Sequence, residues 1–396
     1  MDDTLHPALL PAGLGDLLPP EARVEADVVN ALMATLQAHG YERVKPPLVE
    51  FEASLLGGPG AAMAQETFRM MDPISQRMIG VRADMTLQTA RIATTRLVKS
   101  PRPLRLSYAG QVLRVRGSQL RPERQFGQVG AELIGSDAPE ADAEVVLLAV
   151  EALSAIGVTG LSVDLTMPTL VPAVLRGLDV PERVAQAVRD ALAHKDAAKV
   201  QALGGPVAQI LSVLMTAAGP VEAGLAKLGT LQLTPEAMAE LARLRDVALL
   251  IRSALPDLSL TIDPVENRGF EYHTGVSFTF FARNVRGELG RGGRYNAQPG
   301  GSADGAVVTL ANPLIEPATG FTLYTDTAVR AAPEPKPTPK LYLPYGTPRE
   351  AGAKLRAEGW ITVMALSQGD AAQDAARLGC THLYRDGSVA PLQGSN

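Results

Sequence analysis

The sequence predicts a mixed α/β (α+β) chain: a sheet flanked by helices, interrupted by a helical stretch and followed by a small second unit. Three observations predict it. Segments that alternate apolar and polar residues, such as 104–116 and 125–134, are interleaved with segments whose apolar residues recur every fourth position. From about Pro168 to Pro256 aromatics vanish, and Ala, Leu and Val repeat with helical spacing between Gly/Pro breaks. Between Arg330 and Lys340 lies RAAPEPKPTPK, a Pro-rich spacer expected to be extended and semi-rigid. At roughly 100–200 residues per domain, 396 residues suit two or three domains.

The elements follow in order. Residues 20–40 read as an amphipathic helix, with Pro20 in its first turn, Val24, Val28, Leu32 and Leu36 on one face, and Gly40 at its end. YERVKPPLVEFE is strand-like, and Pro46 and Pro47 place it at an edge or a strand end. Thr86–Val98 is helical, with Asp84 placed to cap it. Two strands, 104–116 and 125–134, flank the polar linker GSQLRPER, and Asp137-Ala-Pro-Glu140 resembles a capping box before a helix ending near Gly157. After the helical stretch, strand character returns at Leu258–Asp263 and Tyr272–Phe281 and continues to about Tyr324. The last segment alternates short strands (Leu341–Pro344, Ile361–Ala365, His382–Tyr384) with two helical patterns, near the lower size limit for independent stability. The expected division is therefore 1–168 with 258–330, a helical insertion 169–257, a linker 331–340 and a small α/β unit 341–396.

Composition narrows the function. Lys and Arg total 37 against 42 Asp and Glu, so a protein that coats phosphate backbone is disfavoured. One cysteine, Cys380, excludes an intrachain disulfide and a multi-cysteine metal site. The five histidines (His6, His39, His194, His273, His382) lie far apart, so no metal is expected, and no cofactor. The start, MDDTLHPALLPAG, lacks a cationic region before an apolar run, and no apolar stretch approaches the ~20 residues of a membrane span. A soluble, cytoplasmic protein is expected.

Several constellations carry chemistry. In the strand 125–134, Gln128, Gly130 and Glu132 share one face. Gln128 and Glu132 are roughly 13 Å apart at about 3.3 Å per residue, a gap that suits a small zwitterion, with room at Gly130. Read alone, such spacing is more often a solvated outer face of a sheet. Arg82-Ala-Asp84-Met-Thr86 can hold an ammonium group or simply cap a helix. Arg268, in RGFEYHTG, suits a carboxylate or phosphate, or is a surface arginine at a strand end. Arg114, Arg116, Arg121 and Arg124 can clamp a polyphosphate or form a solvated hairpin loop. Gly290-Arg-Gly-Gly-Arg294-Tyr lacks the Lys and Ser/Thr of a P-loop.

Taken together and in order, these fragments resemble the histidyl-tRNA synthetase catalytic domain and its paralogue family, the regulatory subunits of ATP phosphoribosyltransferase. LPAGLGDLLPPEA resembles the family opening, and GYERVKPPLVE the first class II motif. ETFRMMDPISQRMIGVRADMT is similar to the strand pair that follows. QVLRVRGSQLRPERQFGQVGAELIG resembles the second motif, NRGFEYHTG the histidine-specific segment, and GGRYN its successor. The resemblance covers most of 8–325, with the helical stretch where the family has its insertion. It implies a class II aminoacyl-tRNA synthetase-like fold, a mixed and mainly antiparallel sheet, dimeric through the first motif. By position it implies Asp84, Thr86 and Gln128 around a histidine ammonium group, Arg268 at its carboxylate, and Glu132, Tyr272 and His273 around its imidazole.

The departures decide between the paralogues. Arg114 matches the phosphate-binding arginine, but Arg116 stands where a synthetase has the glutamate that positions adenine, so Arg114, Arg116 and Arg124 mark a vestigial phosphate/ATP site. Thr327 stands where the third motif has its ATP-clamping arginine. Losing one preorganised charge donor typically costs about 2.7–4 kcal/mol in a transition state. The Asp-Met of Arg82-Ala-Asp-Met-Thr resembles the regulatory version of the motif more than the synthetase one, His273 stands in place of a family tyrosine, and 341–396 looks like a shortened anticodon-domain remnant. The resemblance thus implies a chain with no catalytic residues of its own. It would assemble, as a dimer within a hetero-oligomer, with a short-form ATP phosphoribosyltransferase catalytic subunit. L-histidine would be its effector, and tRNA would not be a partner. The alternatives are a divergent histidyl-tRNA synthetase and a synthetase-like amino-acid sensor.

Overall fold

The computed structural model describes residues 9–57, 60, 63–118, 121–266, 272–299, 315–334 and 338–392. The chain forms two compact units, residues 1–333 and 334–396. Among the described residues no helix is long and apolar enough to cross a membrane.

The first unit is built on one sheet. Among the described residues its strand order is Glu42–Arg43, Leu104–Leu113, Gln125–Ile134, Glu316–Tyr324, Gly290–Ala297, His273–Ala282, Leu161–Thr166, Ser259–Asp263, Gly219–Pro220. Only the pairs Glu42–Arg43 with Leu104–Leu113 and Leu161–Thr166 with Ser259–Asp263 are parallel; the rest are antiparallel. This is the mixed, mainly antiparallel sheet that the family resemblance implies. YERVKPPLVEFE splits: Glu42–Arg43 joins the large sheet, whereas Val49–Phe51 pairs with Met78–Val81 in a separate three-stranded sheet. The prolines between them cannot donate to a ladder.

Alternation sorts the two faces. On the back, Val129, Ala131 and Leu133 join Phe321, Leu323, Phe278, Phe280, Val163 and Leu165 in one buried cluster. Helices Glu21–Ala38, Pro139–Ala155 and Pro235–Ala254 cover it. The first of these buries Val28, Leu32 and Leu36 and stops at Gly40, whose φ of 79° suits a residue without a β-carbon. On the front, Gln128, Gly130 and Glu132 lie beside Thr322 and Gly320, then Arg291 and Gly293, then Ser277 and Thr279. Helix Thr86–Thr95 covers one end of this face, packing Ala90 and Ala93 on Leu106.

The helical stretch is the crossover between two parallel strands, Leu161–Thr166 and Ser259–Asp263, which no short turn can join. Its helices run from Leu170–Gly177 to Pro235–Ala254, and Leu170, Val188, Leu211, Leu244 and Ile251 enter the same cluster as the back of the sheet. Its apolar faces are thus shared with the sheet.

The capping box does not form. Ala138 precedes helix Pro139–Ala155 without a side-chain cap, while Asp137 faces Arg243 and Arg294. A tertiary ion pair takes the carboxylate that local geometry offers to the helix. Arg294 instead ties the sheet to this helix: its Nε lies 3.0 Å from both oxygens of Asp142, which is fully buried. It also donates to the carbonyls of Ser136 (2.8 Å) and Ala138 (3.2 Å).

In the second unit, strands Ile361–Met364, Lys340–Leu343 and His382–Arg385 are parallel, and Ser388–Pro391 adds an antiparallel edge. Helices Arg349–Ala357 and Ala371–Arg377 complete it, the latter capped by Asp370, which accepts from Ala372 N and Gln373 N.

Replacing Arg294 with Met leaves the Asp142 carboxylate buried without its main partner. We expect a loss of about 3–5 kcal/mol of unfolding free energy, measured as a lower midpoint in urea.

Candidate functional site

The front of the sheet opens into a cavity of about 180 Å³. Glu132, which has no solvent exposure, lines it. Two tyrosine hydroxyls donate to this carboxyl: Tyr108 to Oε1 at 3.1 Å and Tyr295 to Oε2 at 3.0 Å. The Tyr108 hydroxyl also lies 2.8 Å from Thr322 Oγ1 and 3.0 Å from Thr86 Oγ1. Burial pushes the Glu132 carboxyl up to about 8, against the hydroxyls of Tyr295, Tyr108 and Thr86, which favour the ionised form. Backbone makes room for it: a β-carbon at Gly320 would collide with the Glu132 carboxylate.

Asp84 and Thr86 stand at the mouth of helix Thr86–Thr95. Asp84 Oδ1 accepts from Thr86 N at 2.8 Å and Oδ2 from Gln128 Nε2 at 2.9 Å. Asp84 thus accepts from the first N–H of the helix and also lines the cavity. Gln128 is fully buried and also accepts from Met85 N at 3.1 Å. It does not line the cavity; it orients Asp84. Tyr272 and His273 line the far wall, with ring centroids 4.2 Å apart and nearly parallel. A β-carbon at Gly293 would strike the His273 ring. Arg268 lies outside the described residues.

Strand alternation leaves Gly130 as an open space between Gln128 and Glu132. In the structure the Tyr108 ring fills that space, and a β-carbon at Gly130 would collide with it. The cavity is therefore displaced toward Thr322, Gly293 and Tyr295, and it is bracketed by Asp84 and Glu132 rather than by Gln128 and Glu132. Tyr108, Tyr295, Thr322 and Arg291 were missed. Strand alternation alone points to Tyr108, which is directly opposite Gly130. The other three need the strand order.

A second cavity, of about 420 Å³, adjoins the first through Arg114 and Arg291, which line both. Arg116, Arg121 and Thr327 line it, with Glu66, Glu123 and Glu288. Arg121 lies 3.8 Å from the Tyr324 ring and 4.7 Å from the Phe126 ring, and its Nε is 3.1 Å from Asp326. Arg124, expected with the phosphate group, does not line this cavity. It donates to the carbonyls of Arg114 and Ala12, both at 3.2 Å, and its guanidinium covers Phe68. Those backbone oxygens, with an aromatic face, hold it on the N-terminal segment.

An acidic, tyrosine-lined pocket on the front of a mainly antiparallel sheet, beside an arginine-lined cavity, is the arrangement of a class II synthetase-type core. The model of the family described as Histidyl-tRNA synthetase matches residues 13–328. The chain belongs to the ATP phosphoribosyltransferase regulatory subunit family. It is 59% identical to the regulatory subunit of Rhodospirillum centenum over 99% of both chains. It is 55% identical to that of Paramagnetospirillum magneticum, over 98% of this chain and 99% of that one. Among solved structures, an ATP phosphoribosyltransferase regulatory subunit/histidyl-tRNA synthetase from Bacillus halodurans C has a TM-score of 0.77 at 24% identity, covering 93% of this chain and 96% of that one. Histidyl-tRNA synthetase from Nostoc sp. PCC 7120 has a TM-score of 0.75 at 18% identity, covering 95% and 90%. These two likenesses are of fold.

A carboxyl raised from 4.5 to about 8 binds more protons folded than unfolded across that window. Its contribution to stability is therefore complete below about pH 4.5 and is lost as pH rises through 8. Glu132→Gln removes this titration. Its unfolding free energy is expected to vary less between pH 5 and 8 than that of the unsubstituted chain, as measured by urea unfolding across the range.

Proposed function

We propose that this chain is the non-catalytic regulatory subunit of a short-form ATP phosphoribosyltransferase, required for its activity in the first step of histidine biosynthesis. In this reading L-histidine, bound in the pocket of Glu132, is the feedback inhibitor. The observation that carries the reading is the contrast between two adjoining cavities. One keeps groups suited to an amino acid: Asp84 and Thr86 for an ammonium group, and Glu132 for an imidazole. The other has Arg116 and Thr327 where a synthetase needs a glutamate and an arginine, and Arg121 lies over the Phe126 ring. A site missing one preorganised donor forfeits about 2.7–4 kcal/mol of transition-state stabilisation, and here a reversed charge is added.

The chemistry then belongs to the partner, a catalytic chain that joins ATP to phosphoribosyl pyrophosphate. Regulation requires histidine to bind two assembly states unequally, with a typical coupling of about 1–3 kcal/mol. By reciprocity the catalytic chain or its substrates alter histidine affinity by the same factor. The regulatory chains pair as a dimer within this assembly, through the segment around Pro47.

The test is phosphoribosyl-ATP formation by the short-form catalytic chain of the same organism, with and without this protein and L-histidine. Stimulation that histidine reverses is expected; no stimulation of a folded catalytic chain overturns the assignment. Glu132→Ala and Arg268→Ala each remove a partner of a charged ligand group, worth about 1.5–3 kcal/mol. Each is expected to raise the half-inhibiting histidine concentration at least tenfold in the same assay.

A further inference from the structure

We propose that Arg291 is a carboxylate-binding group of the Glu132 pocket: its guanidinium reads the α-carboxylate of an amino acid whose side chain points at Glu132 and whose ammonium group faces Asp84. The inference deepens the reading that histidine occupies this pocket, and rests on it.

The sheet floor places the guanidinium. Arg291 pairs with Thr322, which pairs with Gly130; Gly293 pairs with Gly320, which pairs with Glu132. Arg291 therefore stands two strands across and two residues along from Glu132. At about 4.8 Å per strand and 3.4 Å per residue, their backbones are ~12 Å apart. The floor positions between them are Gly293, Gly320 and Thr322, so no large side chain rises from the floor there. Glu132 reaches in from its end, with its carboxylate lying where a β-carbon at Gly320 would be. The gap left between carboxyl and guanidinium has the length of one small zwitterion.

The hydrogen-bonding capacity of Arg291 is open on the side a ligand needs. Its Nε donates to the Tyr324 hydroxyl at 3.0 Å, and Glu288 comes no nearer than 4.0 Å, also at Nε. Among the described residues neither Nη atom has a hydrogen-bond partner. Tyr324 thus steadies the guanidinium and leaves its terminal fork for a planar, bidentate acceptor. An arginine stays charged at every working pH, and this one lines the same cavity as Asp84 and Glu132. Those acids supply partners for an ammonium group and an imidazole; a zwitterion needs a cation as well. Arg114, the other arginine of this wall, turns its Nε to the Ala83 carbonyl at 3.4 Å and lies over the Phe126 ring of the larger cavity. A carboxylate has about four acceptor sites, so Arg291 leaves room for a further donor.

The test is calorimetric titration of the assembled complex with L-histidine and with L-histidinol, which carries a hydroxymethyl group in place of the carboxylate. The unsubstituted complex is expected to bind histidine about tenfold or more tightly than histidinol, the usual weight of a hydrogen bond to a charged group. Arg291→Met should remove most of that preference, weakening histidine about tenfold and leaving histidinol within about twofold. Arg291→Gln keeps a donor for the Tyr324 hydroxyl; its preference should fall as well, and it serves if the Met variant does not fold. Arg291→Lys, which keeps the charge and loses the fork, should lie between Met and the unsubstituted complex. An unchanged preference in the Met or Gln variant overturns the role, as it would if the guanidinium served a phosphate in the larger cavity. Loss of both ligands by one common factor also overturns it and leaves a packing role. An unsubstituted complex that binds the two ligands equally overturns the carboxylate assignment alone. One that binds no histidine, or binds it unchanged by Glu132→Ala, overturns the pocket reading and this role with it.

Discussion

Burying a carboxyl group in the middle of a sheet without an ion-pair partner is costly, and the first unit is arranged around that cost. Glu132 has no exposure, and the hydroxyls of Tyr108 and Tyr295 donate to its two oxygens. Tyr108 can reach it only because Gly130, directly opposite, has no side chain. Glu132 itself fits only because Gly320 leaves its strand open. Gly130 and Gly320 are thus consequences of one polar group. The raised carboxyl is the electrostatic trace of the same constraint. A ligand that brings a hydrogen-bonding or cationic group to this point relieves it.

The adjoining cavities differ in how their charges are used. Around Glu132 the donors are neutral hydroxyls, and Asp84 is steadied by Gln128. In the larger cavity the guanidinium groups are largely engaged by the protein itself. Arg121 meets Asp326, Arg291 donates to the Tyr324 hydroxyl, and nearby Arg124 is held by backbone carbonyls. An arginine already bound to a carboxylate or an aromatic face offers less to a ligand phosphate than its formal charge suggests.

The crossover between the two parallel strands does more than connect them. Its apolar residues complete the cluster behind the sheet, and Lys195 reaches the polar end of strand Ser259–Asp263. Arg294 plays a comparable part on the back of the sheet, where it joins strand Gly290–Ala297 to the helix carrying Asp142. Each cation bridges elements that are distant in sequence, and each meets a carboxylate that burial would otherwise disfavour.

Much of this was legible in the chain itself. Period-two alternation placed Gln128, Gly130 and Glu132 on one face, and fourfold recurrence placed Val28, Leu32 and Leu36 on another; both follow from local backbone geometry. The helices and long strands were found because a single face of each is buried. Ser388–Pro391 was missed although Asp386-Gly387, both with positive φ, is a hairpin signal. The partners of Asp137, Asp263 and Arg124 were out of reach, because each meets a group far along the chain. So was the ring that fills the space at Gly130. Local pattern determined the elements and the chemical types at the site. Only tertiary structure decided which of those groups face a ligand and which are consumed by the protein, because that depends on contacts between strands and helices that no local spacing encodes.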